Sequence, residues 1–211
     1  MENQYLEIEK KYKALINIAI EKMKLSKDPK HNLVHILDVV EYTKEILETE
    51  HGANKEVCII AAYWHDVGRI QQHEGHELIS ANELKTEMEK QNYPAEFIEK
   101  CYKAIYKHNW KKEPETLEGI IIRDADKIDF VGINRWKECI ENGCRFEKIL
   151  ELLPTLRKDI LKLEKSKNPM ASSANSLDRI HMTTKDKDFY ISLKDNDDFI
   201  KNILLKKNVY Q

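Results

Sequence analysis

The chain has 211 residues, which suffices for one domain with a hydrophobic core and argues against two large domains. Its 35 Lys and Arg residues nearly balance its 37 Asp and Glu residues, and the net charge of −2 argues against duplex nucleic acid as a partner. With only six Gly and five Pro, the composition favours helices over turns, and we expect an all-α fold.

Cysteine usage and hydropathy indicate the compartment. The four cysteines include no CxxC pair, which fits a reducing environment. The first twenty residues mix acidic and basic side chains through the apolar positions, and no run of 18 apolar residues occurs. The sequence therefore predicts a cytoplasmic protein with no membrane partner.

Two amphipathic helices are predicted in the first fifty residues. Apolar side chains recur every three or four positions over residues 5–25, and this helix ends before Asp28 and Pro29. The same periodicity resumes at Leu33 and continues until Gly52, which is a plausible helix stop.

The third predicted helix is apolar on nearly every side. Asn54 is its expected N-cap, and the segment from Val57 to Trp64 is typical of a helix enclosed by other helices. Such a helix delivers His65 and Asp66 at its C-terminal end.

Further helices are predicted along the rest of the chain. Residues 76–91 and 94–108 have amphipathic patterns, and the first of these places Leu78, Ile79, Leu84 and Met88 inward. Residues 117–131 contain three consecutive isoleucines that could form a short strand, but the longer pattern favours a helix. Another helix is expected over 145–165, then a Ser/Asn-rich loop near 166–176, then a last helix from 177.

Seven of the eight histidines lie within the first 108 residues, and apart from His51, which is expected at the surface, they stand on or beside predicted helix ends: His31, His35, His65, His73, His76 and His108. A single helical histidine is more often a core or surface residue than a metal ligand. Next to the buried helix, however, His65 and the carboxylate of Asp66 would be costly to bury without a cation or a donor. Gly68 allows the helix to end there. The alternative is that Asp66 accepts a hydrogen bond from neighbouring backbone.

A second acidic segment strengthens the metal interpretation. The stretch RDADKID has carboxylates at Asp124, Asp126 and Asp129, and we expect a helix to turn one of them, Asp126, inward and to leave the other two solvated. Together with His35 on the preceding helix, two imidazoles and two carboxylates from three helices would suit a first-row divalent ion.

These residues resemble a known family signature. His35, then His65-Asp66 in AAYWHDVGR and Asp126 in DADKID resemble the H…HD…D signature of the HD-domain metal-dependent phosphohydrolase superfamily, over about residues 28–135. The resemblance implies a single compact multi-helix bundle whose four signature residues bind a divalent metal ion; Mn, Mg, Co, Ni, Fe and Zn are not distinguished. It also implies three parts: residues 1–27, an N-terminal helix on the core; 28–145, the HD domain; and 146–211, a C-terminal helical extension of the same domain.

Further roles follow from the resemblance and from the chemistry of the side chains. Asp66 is the residue that we expect to orient or deprotonate the attacking water. His76 and His108 either bind a second metal, as extra histidines do in binuclear members, or serve as general acid or phosphate ligands. Arg69 and Lys127 are the candidate substrate-binding cations; as an alternative, each pairs with nearby acids.

The predicted activity is hydrolysis of a phosphate ester or anhydride in a nucleotide or a small phosphorylated metabolite. Two alternatives remain at this stage: a binuclear iron oxygenase of the same superfamily, and a non-catalytic sensor that binds a nucleotide. A homodimer is compatible with the sequence, which does not fix the oligomeric state.

Overall fold

Helices make up the regular structure of the part of the chain that the computed structural model describes, residues 2–109 and 112–131. Within these residues there is no strand, which confirms the predicted all-α class. The helices are α1 Glu2–Lys11, α2 Lys13–Met23, α3 Leu33–Thr49, α4 Lys55–Trp64, α5 His76–Lys90, α6 Ala95–Tyr106 and α7 Leu117–Val131, with a 3-10 turn at Val67–Ile70 between α4 and α5.

The single helix predicted over residues 5–25 is in fact two helices joined at Tyr12. This residue leaves helical geometry, with φ −104° and ψ 18°, and its hydroxyl donates to Glu56 Oε2 at 2.5 Å. Backbone hydrogen bonds of 3.0 Å link Tyr12 to Ile8 and to Ile16, so the helical register continues across the junction. The apolar periodicity therefore could not reveal the break.

Helix α4 lies at the centre of the described fold. Every residue from Val57 to Trp64 is buried, as the sequence predicted, and α4 packs against α1, α2, α3, α5 and α6. Asn54 caps it as expected, accepting hydrogen bonds from the backbone N–H groups of Glu56 and Val57. At the other end, Trp64 Nε1 donates to the carbonyl oxygen of Leu15 at 3.2 Å. The C-terminus of α4 is therefore fixed deep in the protein.

Helix α5 differs from its predicted orientation in its first turn. Leu84 and Met88 are buried as expected, but Leu78, which was predicted to point inward, is 44% exposed, and its neighbour Glu77 is buried. The Glu77 carboxylate lies 2.6 Å from Lys112 Nζ, and this ion pair compensates for its burial.

The last two described helices agree with the sequence. Helix α6 begins directly after Pro94, and Ile120, Ile121 and Ile122 are buried within α7, not in a strand. The predicted elements over 145–165, 166–176 and from 177 lie outside the described residues, and the proposed domain boundaries stay predictions. Among the helices described here, none combines the length and apolarity that a membrane span requires.

Candidate metal centre

His35 lies in the first turn of α3 and is almost completely buried. The side chain of Asn32 caps this helix by accepting from the His35 backbone N–H at 3.1 Å. On the ring, Nδ1 is 2.7 Å from Asp129 Oδ2. The opposite nitrogen, Nε2, lies 3.4 Å from one oxygen of Asp66 and 3.4 Å from one oxygen of Asp126. The ring therefore presents one nitrogen to a cluster of acids.

His65 follows the last residue of α4 and is completely buried. Its Nδ1 lies 2.8 Å from the carbonyl oxygen of Ala62, and because a carbonyl only accepts, Nδ1 carries the proton. Burial lowers the pKa of the His65 ring to about 3, so the ring is neutral at physiological pH. Its Nε2 lone pair is then available for a metal and lies 3.2 Å from Nε2 of His35.

Asp66 stands between α4 and the 3-10 turn, as the position of Gly68 had suggested. Burial alone would raise the pKa of its carboxyl, but the Arg69 guanidinium and the His65 ring lower it well below the usual value. Arg69 Nε donates to Asp66 Oδ2 at 2.7 Å. Asp66 is therefore a buried carboxylate with one oxygen fixed by Arg69.

The three carboxylates of α7 do not divide as the sequence analysis expected. Asp126 does face the cluster, but its side chain is 29% exposed, whereas Asp129 is 1% exposed and Asp124 is also buried. The prediction that Asp124 and Asp129 are solvated is wrong. Residues 126 and 129 share a helix face because they are three positions apart, and this spacing was a signal in the sequence that pointed to Asp129.

His76 and His108 complete the cluster from α5 and from the end of α6. Their Nδ1 atoms lie 2.9 Å from the carbonyl oxygen of His73 and 2.7 Å from that of Ile105. Their Nε2 atoms lie 3.0 Å and 3.8 Å from Asp66 Oδ1.

These contacts leave three buried atoms unsatisfied: Asp66 Oδ1 and the Nε2 atoms of His76 and His108 make no hydrogen bond. Unsatisfied buried polar atoms are rare, and three that converge call for a missing partner.

A divalent cation fits this donor set. Two groups each have ligand atoms within 4.8 Å of one another: His35, His65 and Asp126 form one, and His65, Asp66 and His108 form the other. Imidazole nitrogens with carboxylate oxygens suit first-row divalent ions. The structure thus brings together all four predicted metal ligands and both additional histidines.

The roles of the two predicted substrate cations stay predictions. Arg69 borders the cluster, but besides Asp66 its guanidinium also contacts His73, with Nη1 3.0 Å from Nδ1. Lys127 belongs to α7, and its side chain lies outside the described ones. The ring of His31 makes a T-shaped contact with that of His35 at a centroid distance of 5.7 Å.

Sequence reasoning missed the hydrogen bond between the 3-10 turn at Val67–Ile70 and α5. Ser80 Oγ accepts a hydrogen bond of 2.8 Å from the backbone N–H of Gly68, and both residues are buried. An alanine Cβ at position 68 would lie 2.3 Å from the carbonyl oxygen of His76. Only glycine allows this approach, and no spacing in the sequence indicates which residue receives the N–H.

Comparison with known proteins agrees with this geometry. A family model described as HD domain matches residues 32–130, and one described as Bacterial PH domain matches residues 156–208. An uncharacterized protein of Clostridium beijerinckii is 37% identical over 103 residues, which cover 47% of this chain and 64% of that protein, less than two thirds of its length.

The fold is also similar to a crystal structure. That protein is a predicted HD superfamily hydrolase from an uncultured Thermotogales bacterium, with a TM-score of 0.57, 21% identity, and coverage of 92% of this chain and 91% of the other. The family match over residues 32–130 agrees with the convergence of the signature residues in this all-α fold, so this part of the chain is similar to an HD domain.

Proposed function

We propose that this protein is a metal-dependent phosphohydrolase that cleaves a phosphate ester or anhydride in a nucleotide or another small phosphorylated metabolite. The observation that carries the proposal is the burial of imidazoles and carboxylates around one point, with three of their atoms lacking hydrogen-bond partners. The Thermotogales structure, described as a predicted hydrolase, has the same fold and supports the same reaction class.

The proposed ligands divide into two sets that share Asp66. His35, His65, Asp66 and Asp126 would hold the first ion, and Asp66 with His76 and His108 would hold a second one. Such an ion would supply a coordinated water with a pKa lowered from about 16 towards about 7, and positive charge beside a phosphoryl oxygen. The two unsatisfied Nε2 atoms beside Asp66 Oδ1 favour the second ion over a purely acid–base role for His76 and His108.

Protein side chains supply the rest of the chemistry. In the mononuclear alternative, Asp66 Oδ1, which makes no hydrogen bond, can accept a proton from the attacking water, while Arg69 holds the other oxygen in place. The Nε2 atoms of His35 and His65 lie 3.4 Å and 3.9 Å from Asp66 Oδ2, and the neutral ring of His65 adds no positive charge there. In the mononuclear alternative, His76 or His108 donates a proton to the leaving group.

The substrate is proposed to be small because the net charge of −2 provides no cationic field for a polymer. Arg69 has its guanidinium at the edge of the cluster, with 13% of the side chain exposed. We assign it to the substrate phosphate, and Lys127 on α7 is proposed as the second cation.

A metal and substrate panel tests this function. Chelator-treated full-length protein is reloaded with Mn²⁺, Co²⁺, Ni²⁺, Mg²⁺ or Fe²⁺ and offered nucleoside mono-, di- and triphosphates; release of phosphate or pyrophosphate is expected with at least one pair. His65→Ala should abolish turnover, while His51→Ala, at an exposed loop histidine, should retain it. No turnover with any metal, or turnover that survives His65→Ala, would contradict the proposal.

A binuclear iron oxygenase is the second candidate, because the additional unsatisfied pair of His76 and His108 would also suit two irons. Two irons per chain in protein as isolated, with oxygen consumed in the presence of substrate, would favour it over hydrolysis. Tight nucleotide binding without turnover, unchanged in Asp66→Ala, would instead indicate a sensor.

A further inference from the structure

The four site histidines are oriented in two different ways. In His65, His76 and His108, Nδ1 contacts a backbone carbonyl oxygen three residues earlier in the chain. In His35, Nδ1 instead contacts a carboxylate, Asp129 Oδ2, at 2.7 Å and 94 residues away. One ring of the cluster thus has a charged partner where the other three have neutral ones.

We propose that Asp129 is a positioning residue that fixes the tautomer and orientation of His35 and makes it a stronger metal ligand. A carboxylate only accepts hydrogen bonds, so His35 Nδ1 must carry a proton, and Nε2, which faces Asp66 and Asp126, is the ring atom that would bind a metal ion. The negative charge behind the ring also increases the electron density that Nε2 can donate.

The burial of the pair argues for this role over that of a surface ion pair. The side chains of His35 and Asp129 are each 1% exposed, so no water competes for their 2.7 Å contact. The backbone N–H of His35 also donates a hydrogen bond to the side chain of Asn32. The backbone and the Nδ1 atom of His35 are therefore both fixed by hydrogen bonds. Little freedom is left for Nε2 to turn away from the cluster.

This inference rests on the proposed metal centre, and it assigns Asp129 no contact with metal or substrate. Loss of a carboxylate behind a metal-binding histidine typically weakens metal affinity by about 10–100-fold. The experiment uses Co²⁺ as the probe, titrated into chelator-treated full-length protein and followed by visible absorption and by competition with a chelator.

Asp129→Ala should weaken Co²⁺ binding by about 10–100-fold and shift the Co²⁺ absorption bands, because His35 is released. Asp129→Asn keeps an oxygen that can accept from Nδ1 and should recover part of the affinity. Tyr12→Phe is the matched control for lost stability: it removes a partly buried hydrogen bond to Glu56 at the far end of α4 and should leave Co²⁺ affinity unchanged.

A second readout needs no metal. Nitrogen NMR of the metal-free protein should report His35 as the Nδ1–H tautomer in the wild type and a mixture of tautomers in Asp129→Ala. Wild-type protein that binds no Co²⁺ would overturn the metal centre and this inference with it. If the wild type binds Co²⁺ and the Co²⁺ affinities of Asp129→Ala and Asp129→Asn both lie within twofold of its value, the role of Asp129 alone is overturned. The same holds if Tyr12→Phe loses as much Co²⁺ affinity as Asp129→Ala.

Discussion

Replacing Gly68 with alanine should damage both stability and metal binding, because the 3-10 turn after the HD dipeptide touches α5 directly. The added Cβ would lie 2.3 Å from the carbonyl oxygen of His76, 2.8 Å from Ile79 Cβ and 2.9 Å from the backbone nitrogen of Ser80. Ordinary contact begins near 3.4 Å, so the turn and α5 must separate by about 1 Å. Backbone atoms on both sides leave no flexible side chain that could yield.

The expected cost combines three effects. Overpacking costs about 1–3 kcal/mol, and weakening the 2.8 Å hydrogen bond from Gly68 N to Ser80 Oγ costs about 1 kcal/mol. Reduced freedom of the unfolded chain returns about 0.4–1 kcal/mol. The net loss of about 1–3.6 kcal/mol corresponds to a fall in Tm of roughly 2–14 °C.

The same displacement would move His76 Nε2 away from Asp66 Oδ1, which lies 3.0 Å from it in the wild-type structure. Metal affinity should therefore fall about tenfold or more, measured by chelator competition, alongside Tm from circular dichroism. Gly119→Ala in α7 is the matched control: its Cβ would meet Pro114 Cβ at 3.1 Å and no backbone atom nearer than 3.5 Å, and stability should be unchanged or higher. A Gly68→Ala protein as stable and as metal-binding as Gly119→Ala would refute this reasoning.

Three further outcomes are expected. Trp64→Phe leaves the buried carbonyl of Leu15 without its 3.2 Å partner, and urea unfolding should show a loss of about 1–3 kcal/mol. Asn54→Ala removes the cap of α4 and should cost about 1 kcal/mol by the same assay; an unchanged value in either variant would contradict the assigned hydrogen bond. A divalent ion at 100 times its Kd should stabilise the protein by about 2.7 kcal/mol, and a Tm rise that persists in His65→Ala would place the ion elsewhere.

Local pattern was enough to predict much of the fold and most of the site. The buried character of α4, the cap at Asn54 and the helical state of the three isoleucines follow from periodicity and capping chemistry, both of which act within a few residues. The candidate metal ligands were singled out because histidine and aspartate beside a buried helix are costly without a cation, and their role as ligands stays a prediction.

Features that depend on distant residues were not predictable in this way. In α5, Glu77 is buried and Leu78 is exposed, and the partner of Glu77 is Lys112, 35 residues later in the chain. The apolar periodicity of α5 alone contains no sign of this partner and therefore predicts that Leu78 is buried. Asp129 was taken as solvated because its partner, His35, lies 94 residues away. Both errors involve a buried carboxylate whose partner lies in a distant part of the chain, Lys112 in the loop before α7 and His35 in α3.

The two kinds of histidine contact also imply an order of assembly. A ring that donates to a carbonyl three residues earlier can take its final orientation as soon as its own helix end forms, which holds for His65, His76 and His108. The His35 ring must wait until α7 docks and brings Asp129 within reach. A complete set of ligands therefore exists only in the docked state, and metal uptake during refolding would time the arrival of α7.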